Sequence, residues 1–383
     1  MDYLLTEEQK MVKDLAHKIA EEKIRPQAAK YDISEEYPWD VLKAMGDSDM
    51  FGLFIPEEYG GFANSTMNLC LATEEFSRAC GGIAVCYAAS ALGTIPIVLF
   101  GTDEQKKKYL PDLAKGKKVG AFAITEPEAG SDASGIKTTA RKEGDYYILN
   151  GLKHFITNGG DAETNVVIAM TDKTKGARGA SAFIVEKGTP GFTFGKKEDK
   201  FGIRASSTRE LIFTDCKIPA ANLLAKEGMG FIVTMRTFDM SRPGVAAQAL
   251  GIAQGALELA VKYVRERVQF GKPISSFQGI QWMLADMATE IEAARGLVYS
   301  TARMVDAGCK DVSKESAMAK MFASDVAMKV TVDALQLFGG YGYMKDYPIE
   351  KYVRDAKITQ IYEGTNQVQR GIIALKIIKE MAK

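Results

Sequence analysis

Histidine is almost missing from this 383-residue chain, with only His17 and His154 present. So few histidines, and no HExxH, exclude a histidine-rich metal site and disfavour a Ser–His–Asp triad. Cysteine is scarce as well. Cys70, Cys80, Cys86, Cys216 and Cys309 form no CxxC pair. An odd, scattered set reads as reduced thiols in a reducing compartment, mostly packed in the core. Net charge is absent, because 49 Lys and Arg balance 49 Asp and Glu. Bulk-charge binding to nucleic acid or a membrane surface is therefore disfavoured, which leaves room for a local anion site. No run of about 18 apolar residues occurs, so no bilayer span is expected. The N-terminal stretch is acidic and amphipathic and lacks the pattern of a secretion signal. A cytoplasmic protein is expected; a processed form in the mitochondrial matrix would look the same. A nicotinamide site has little support: GMGF at 228–231 is a fragment of GxGxxG without a strand–helix–strand setting. No GxxxxGK[ST] loop, internal repeat or low-complexity linker appears either.

The composition is that of a globular protein, 46% hydrophobic and 26% charged. The length predicts about two or three domains. Residues 1–119 read as helical. Thr6 followed by Gln9 resembles a capping box, and Met11, Leu15 and Ile19 recur at helical spacing. A second periodic stretch covers 66–81. Thr102 or Asp103 is placed to cap a short helix that Pro111 interrupts or ends. Residues 120–228 read as short strands with tight turns, at Glu143-Gly144-Asp145 and Asn150-Gly151. That predicts an antiparallel, barrel-like β-domain. Residues 229–383 return to long helices, the pattern of a four-helix bundle. The expected class is α+β: helices, then a β-domain, then a bundle.

Several stretches invite a chemical reading, each with a plainer alternative. TEPEAGSDAS (125–134) offers Gly130, Thr125, Ser131 and backbone N–H groups to a ligand, or is a connecting loop. In KHFITNGG (153–160), Phe155 could lie against a planar ring and Thr157 could bond its heteroatoms; the alternative is a core Phe and a capping Thr. In RVQFGKPISSFQ (267–278), Arg267 could meet a pyrophosphate, or simply be solvated in a helix–helix loop. QLFGGYGY (336–343) reads as a helix C-cap at Gly339-Gly340, with or without a ligand close by. FDMSRP (238–243) places Asp239 and Arg242 before an apolar helix, as an ion pair or cap. IYEGTNQVQR (361–370) sets a lone acid, Glu363, between Tyr362 and Gly364. A surface charge needs no such setting; a base approaching a bound ligand does.

Taken in order, AFAITEPEAGSDAS, KHFITNGG, FGIRASSTREL, RVQFGKPISSFQ, QLFGGYGY and IYEGTNQVQR resemble the signatures of the acyl-CoA dehydrogenase family. The chain is most similar to the short-chain, bacterial butyryl-CoA dehydrogenase type. The resemblance implies FAD between the β-domain and the bundle, usually in a homotetramer. By motif, FAD is expected at Phe122, Ile124, Thr125 and Ser131, with Phe155 and Thr157 at the flavin ring. Many members carry Trp at the Phe155 position. Arg267, Gln269, Phe277, Gln278, Gln336, Gly339 and Gly340 are expected to hold the dinucleotide of a neighbouring subunit, with Thr365 and Gln367 completing the site. Ser131, Thr171, Asp239 and Arg242 are the expected CoA-side contacts.

The same resemblance makes Glu363 the base that takes the α-proton of an acyl-CoA, with the β-hydride passing to flavin N5. Tyr362 helps to keep that base dry. Gly364 leaves room and offers an N–H to the thioester oxygen. Electrons then pass to an electron-transfer flavoprotein. Isovaleryl-type relatives carry the base on another helix, but FDMSRPGVAA has Arg242 and no Glu, so the base belongs at 363. In CYAASALGT (86–94), Ala88, Ala89 and Ser90 leave space for an acyl group and Tyr87 could take it back. Glutaryl-type relatives place an Arg near position 83, where Ile83 stands, which disfavours a dicarboxylyl substrate. Linear, branched and alicyclic short acyl groups remain open. The alternatives are an acyl-CoA oxidase that uses O₂ and a flavoprotein relative without turnover.

Overall fold

The computed structural model describes residues 3–382. Helix α1 (Glu7–Ile19) opens with the expected capping box: Thr6 Oγ1 accepts from the Gln9 N–H, and the Gln9 side chain accepts from the Thr6 N–H. Its buried stripe is Val12, Ala16 and Ile19, whereas Met11 and Leu15 are exposed. The helix is where the periodicity put it, but turned by one residue, about 100° around its axis.

Helices α2 (Ala28–Ser34) and α3 (Trp39–Asp47) lead to α4 (Thr66–Ala79), α5 (Gly81–Phe100) and α6 (Asp103–Ala114). Every residue of α4 is buried, including Glu74, Glu75 and Arg78. Such charges persist inside only when paired. Glu74 accepts from Arg295 Nε at 2.9 Å and from the Tyr299 hydroxyl at 2.7 Å, and Arg78 donates to Glu75 and Glu258. Thr102 caps α6 with a second capping box, and Pro111 does not end that helix, which continues to Ala114.

The next long helix is α7 (Gly230–Glu266). By length and composition α5 and α7 could each cross a bilayer, contrary to the expectation from the sequence. Within this fold 72% and 78% of their apolar stretches are buried against protein. They are core helices here, and α5 owes its apolar surface to burial on several sides.

From Gly120 the chain becomes sheet: β1 (Gly120–Ala123), β2 (Thr139–Glu143), β3 (Tyr146–Thr157), β4 (Thr164–Met170), β5 (Ala180–Glu186), β6 (Phe192–Lys197), β7 (Thr208–Pro219) and β8 (Leu223–Leu224). The order is β6-β7-β3-β2-β4-β5-β8, with β1 beside β4. Most pairs are antiparallel, as expected. The β1–β4 pair is parallel, and Thr139 bridges Met170 in parallel, so the sheet is mixed. The β2–β3 hairpin turns at Gly144-Asp145, as predicted. Asn150-Gly151 is not a turn. It lies within β3 at a register irregularity against β7. Gly151 has φ +146°, and a Cβ there would sit 2.5 Å from Thr138 Oγ1. The glycine serves a bulge and a close approach, not a chain reversal.

A short hairpin, β9 (Val268–Gln269) and β10 (Lys272–Pro273), links α7 to α8 (Gln278–Asp306). Helices α9 (Ser313–Phe338), α10 (Ile349–Thr359) and α11 (Asn366–Met381) follow. FDMSRP lies inside α7 and does not precede it; Pro243 is accommodated within the helix. The Ala/Gly-rich face of α7 packs on α4. A Cβ at Gly251 would fall 2.1 Å from the Glu74 carbonyl oxygen, and one at Gly255 2.2 Å from that of Arg78.

Candidate active site

Helices α5 and α7, the C-terminal ends of β1 and β3, and the 362–364 turn enclose a cavity of about 430 Å³. On α5, Val85, Ala88, Ala89 and Leu92 form one wall. The small alanines leave depth. Tyr87 does not fill it. Its hydroxyl donates to the Met50 carbonyl at 3.0 Å, and its ring packs edge-on against Phe51, Phe54 and Phe76. Ile83 is fully buried and forms no part of the wall. The charged residues lining the cavity are Asp132, Arg242 and Glu363.

Glu363 stands between α10 and α11. Its φ is +50° and that of Gly364 is +90°. A left-handed non-glycine residue is uncommon, and holding one costs about 1–3 kcal/mol, so its surroundings must fix it. Here they do. Gln369 Nε2 donates to the carbonyls of both residues at 3.0 Å. Lys320 Nζ donates to the Gly364 carbonyl at 2.8 Å, and Arg242 Nε to that of Glu363 at 3.4 Å. Thr365 then caps α11, its hydroxyl accepting from the Val368 N–H.

The Glu363 carboxylate accepts a 2.6 Å hydrogen bond from Ser241 Oγ. Burial pushes its pKa up. The Ser241 bond and the charges of Arg242 and Lys320 pull it down, and burial prevails. Burial and the adjacent Glu363 also raise the Tyr362 phenol, which donates to Gln248 Oε1. Burial holds the Lys320 ammonium down, to about 7. Arg242 is lowered for the same reason; Asp239 lies 3.9 Å from its guanidinium, and the Phe238 ring lies 5.5 Å away.

Of the residues singled out in the sequence, Phe122, Ile124, Thr125, Ser131, Phe155, Thr157, Arg242, Tyr362, Glu363 and Gly364 line this one cavity. Thr171 and Asp239 do not. The Thr171 hydroxyl is engaged with the Gly179 carbonyl and Ser181 Oγ. Arg267, Gln269, Gln336, Gly339 and Gly340 gather in a second hollow. Phe277 and Gln278, at the start of α8, do not line it; Lys272 Nζ is 4.5 Å from the Phe277 ring. Thr365 and Gln367 open onto a third hollow, with Asp325 and Arg370.

Sequence reading missed Ser241, Gln248, Lys320 and Gln369. Ser241 was within a quoted motif but looked like part of a cap. Lys320 carried a legible signal, a lone cation on a stripe of small residues at helical spacing. Gln248 and Gln369 gave none.

A large planar ligand with polar edges fits the cavity mouth. Among the described residues, the hydroxyls of Thr125, Ser131 and Thr157 have no hydrogen-bond partner within the chain. A Cβ at Gly130 would meet nothing within 4 Å. Phe155, at φ +58°, is 61% exposed.

Fold and site together define a three-domain protein with a buried acid, Glu363, facing a ligand cavity beside a place for a flat aromatic group. The chain belongs to the acyl-CoA dehydrogenase family. The family models for the N-terminal, middle and C-terminal domains match residues 6–117, 121–216 and 228–378. The chain is 50% identical over 380 residues to a short-chain-specific acyl-CoA dehydrogenase of Clostridium acetobutylicum, covering 99% of this chain and 100% of that one. It is 51% identical to an acryloyl-CoA reductase (NADH) of Anaerotignum propionicum, covering 99% and 96%. The solved butyryl-CoA dehydrogenase of Megasphaera elsdenii superposes with TM-score 0.96 at 49% identity, covering 99% and 100%. The family is FAD-dependent. An acyl-CoA dehydrogenase of Bacillus anthracis, solved in complex with FAD, matches with TM-score 0.93 at 36% identity, covering 100% of this chain and 69% of that one.

Proposed function

We propose that this oxidoreductase dehydrogenates a short acyl-CoA to the 2-enoyl-CoA, with Glu363 removing the α-proton. The observation that carries this reading is the Glu363 carboxylate in the cavity wall, its proton affinity raised by burial, in a cavity whose α5 side is small and apolar. An ordinary Glu is a weak base; raising its pKa toward the working pH makes it a better one. Ser241 donates to the carboxylate and so holds its orientation and its ionised form. The Gly364 N–H has no acceptor within the chain among the described residues. It is free to bond a thioester oxygen as negative charge develops there. Tyr362 and Gln248, bonded to each other, close that part of the wall to water. Ala88 and Ala89 leave room for a short linear, branched or alicyclic chain.

Bound FAD supplies the acceptor for the β-hydrogen as hydride. Phe122, Ile124, Thr125, Ser131, Phe155 and Thr157 would hold the flavin end. Arg267, Gln269, Phe277, Gln278, Gln336, Gly339, Gly340, Thr365 and Gln367 would hold the dinucleotide end across a subunit boundary in a homotetramer. Their division among separate hollows on one chain supports that sharing. So does the apolar surface that a single chain leaves exposed at Trp282, Leu375, Ile378 and Met381. Ser131 and Arg242 remain the CoA-side contacts, with Thr171 and Asp239 outside the cavity wall. Electrons would pass to an electron-transfer flavoprotein.

The acryloyl-CoA reductase relative favours a second reading, the same chemistry in reverse. Glu363, protonated, would then return a proton to the α-carbon. A raised pKa serves both directions.

The test is anaerobic bleaching of bound flavin across butyryl-, isobutyryl-, 2-methylbutyryl-, hexanoyl-, glutaryl- and cyclohexanecarboxyl-CoA. Glu363→Gln should keep FAD and bind acyl-CoA yet lose about 10²–10⁴-fold in reduction rate. Reduction at the wild-type rate in that variant refutes the role of Glu363. Reoxidation in air separates a dehydrogenase, slow with product bound, from an oxidase.

A further inference from the structure

Lys320 has no place in the reaction above. It lies on α9 on a stripe of small residues, Ala317, Ala323, Ser324 and Ala327, and is fully buried. A buried ammonium must find acceptors. Among the described residues, this one meets no carboxylate at hydrogen-bond distance. It donates to the Gly364 carbonyl at 2.8 Å and to Asn366 Oδ1 at 3.0 Å. Both acceptors belong to the turn that carries Glu363 and to the helix start behind it. Asn366 is anchored in its turn, donating to Ser324 Oγ at 2.9 Å and Asp325 Oδ1 at 2.7 Å. Packing alone does not call for a cation here, because an ammonium must give up its water to sit among small residues.

We propose that Lys320 is a positioning residue for the base: it fixes the left-handed Glu363–Gly364 turn through the Gly364 carbonyl, and its charge favours ionised Glu363. The inference rests on reading Glu363 as the base. The charged groups facing Lys320 are Glu363 in the turn, Arg242 on α7 and Asp325 on α9. Asp325 already pairs with Arg370 of α11 at 2.9 Å, so the field of Lys320 falls mainly on Glu363. Burial holds the ammonium near 7. Below that pH the ammonium is charged and favours the ionised carboxylate; as pH rises through it the charge is lost. Arg242 supplies a cation that does not titrate there; Lys320 supplies one that does.

The test uses the FAD-loaded holoenzyme and anaerobic stopped-flow flavin reduction by butyryl-CoA as a function of pH. Wild type, Lys320→Gln, Lys320→Met and Glu363→Gln are compared. Both Lys320 variants should move the acid limb of the rate profile up by about 0.5–1 pH unit. Lys320→Gln, which keeps a donor for the Gly364 carbonyl, should hold the plateau within about threefold of wild type, and Lys320→Met should lose about tenfold, a missing bond's worth. If Lys320→Met does not fold, the limb position in Lys320→Gln decides alone. An unmoved limb in Lys320→Gln overturns the inference, as does failure of that variant to fold with flavin bound, which would make Lys320 purely structural. If Glu363→Gln is inactive while the limb stays put, only the Lys320 inference falls. Wild-type reduction in Glu363→Gln removes the reading beneath it.

Discussion

Replacing Ser241 by Ala removes the one side-chain hydrogen bond to the Glu363 carboxylate among the described residues, 2.6 Å long. A hydrogen bond to a charged group contributes about 1.5–3 kcal/mol net. At about 1.36 kcal/mol per pH unit, that corresponds to an upward move of roughly 1–2 units in the pH at which the base loses its proton. The sign follows from the donor. The serine O–H stabilises the ionised form, so its loss favours the protonated acid. A protonated Glu363 can itself donate to a serine oxygen, which recovers part of the energy and places the expected move near the lower end. Anaerobic flavin reduction against pH reads this directly. At one pH unit below the wild-type limb, Ser241→Ala should be about tenfold slower than wild type. On the plateau it should match or exceed wild type, because the freed base is stronger. A uniform loss of rate at every pH, with the limb unmoved, would show that Ser241 does not tune Glu363 and would refute the electrostatic account of this wall.

Two further predictions concern the scaffold. Gly251→Ala drives a Cβ to within 2.1 Å of the Glu74 carbonyl; α7 must back away from α4, destabilising by about 1–3 kcal/mol, measured as a lower urea midpoint with an unchanged slope. Lys153→Met strips Glu126 of its buried partner at 2.7 Å and also removes the donor to the Ile124 carbonyl. Breaking such a pair costs about 3–5 kcal/mol. Because the Glu126 carboxylate also binds the N–H groups of Lys137 and Thr138, it ties together the ends of the loop holding Thr125 and Ser131. Flavin should therefore dissociate at lower urea than the helices melt; simultaneous loss would count against a local role.

Local chemistry was legible where neighbours in sequence are neighbours in space. The α1 capping box, the cap at Thr102, the Gly144 turn and the end of α9 at Gly339 are of this kind. So was the Tyr362–Glu363–Gly364 turn at the cavity wall, because its residues are consecutive. The errors arise where distant segments decide. Asn150-Gly151 carries the composition of a turn, but Thr138 crowds Gly151 within a continuous strand. Parallel pairing of β1 with β4 joins residues more than 40 apart and leaves no local trace. Met11 and Val12 satisfy a helical stripe equally well, and packing against distant segments, α4 chief among them, determines which one is buried. Lys320 reaches the site from 43 positions upstream of Glu363, a contact between helix and turn that the sequence pattern does not display.

The left-handed backbone at Glu363 has an evolutionary consequence. Glycine adopts that conformation without strain, whereas glutamate does not. Selection of a mutant library for heat tolerance alone should therefore enrich glycine at this site and discard turnover with it. Selection on flavin bleaching should restore the acid and accept the weaker fold. Robustness and chemistry make opposite demands on a single codon.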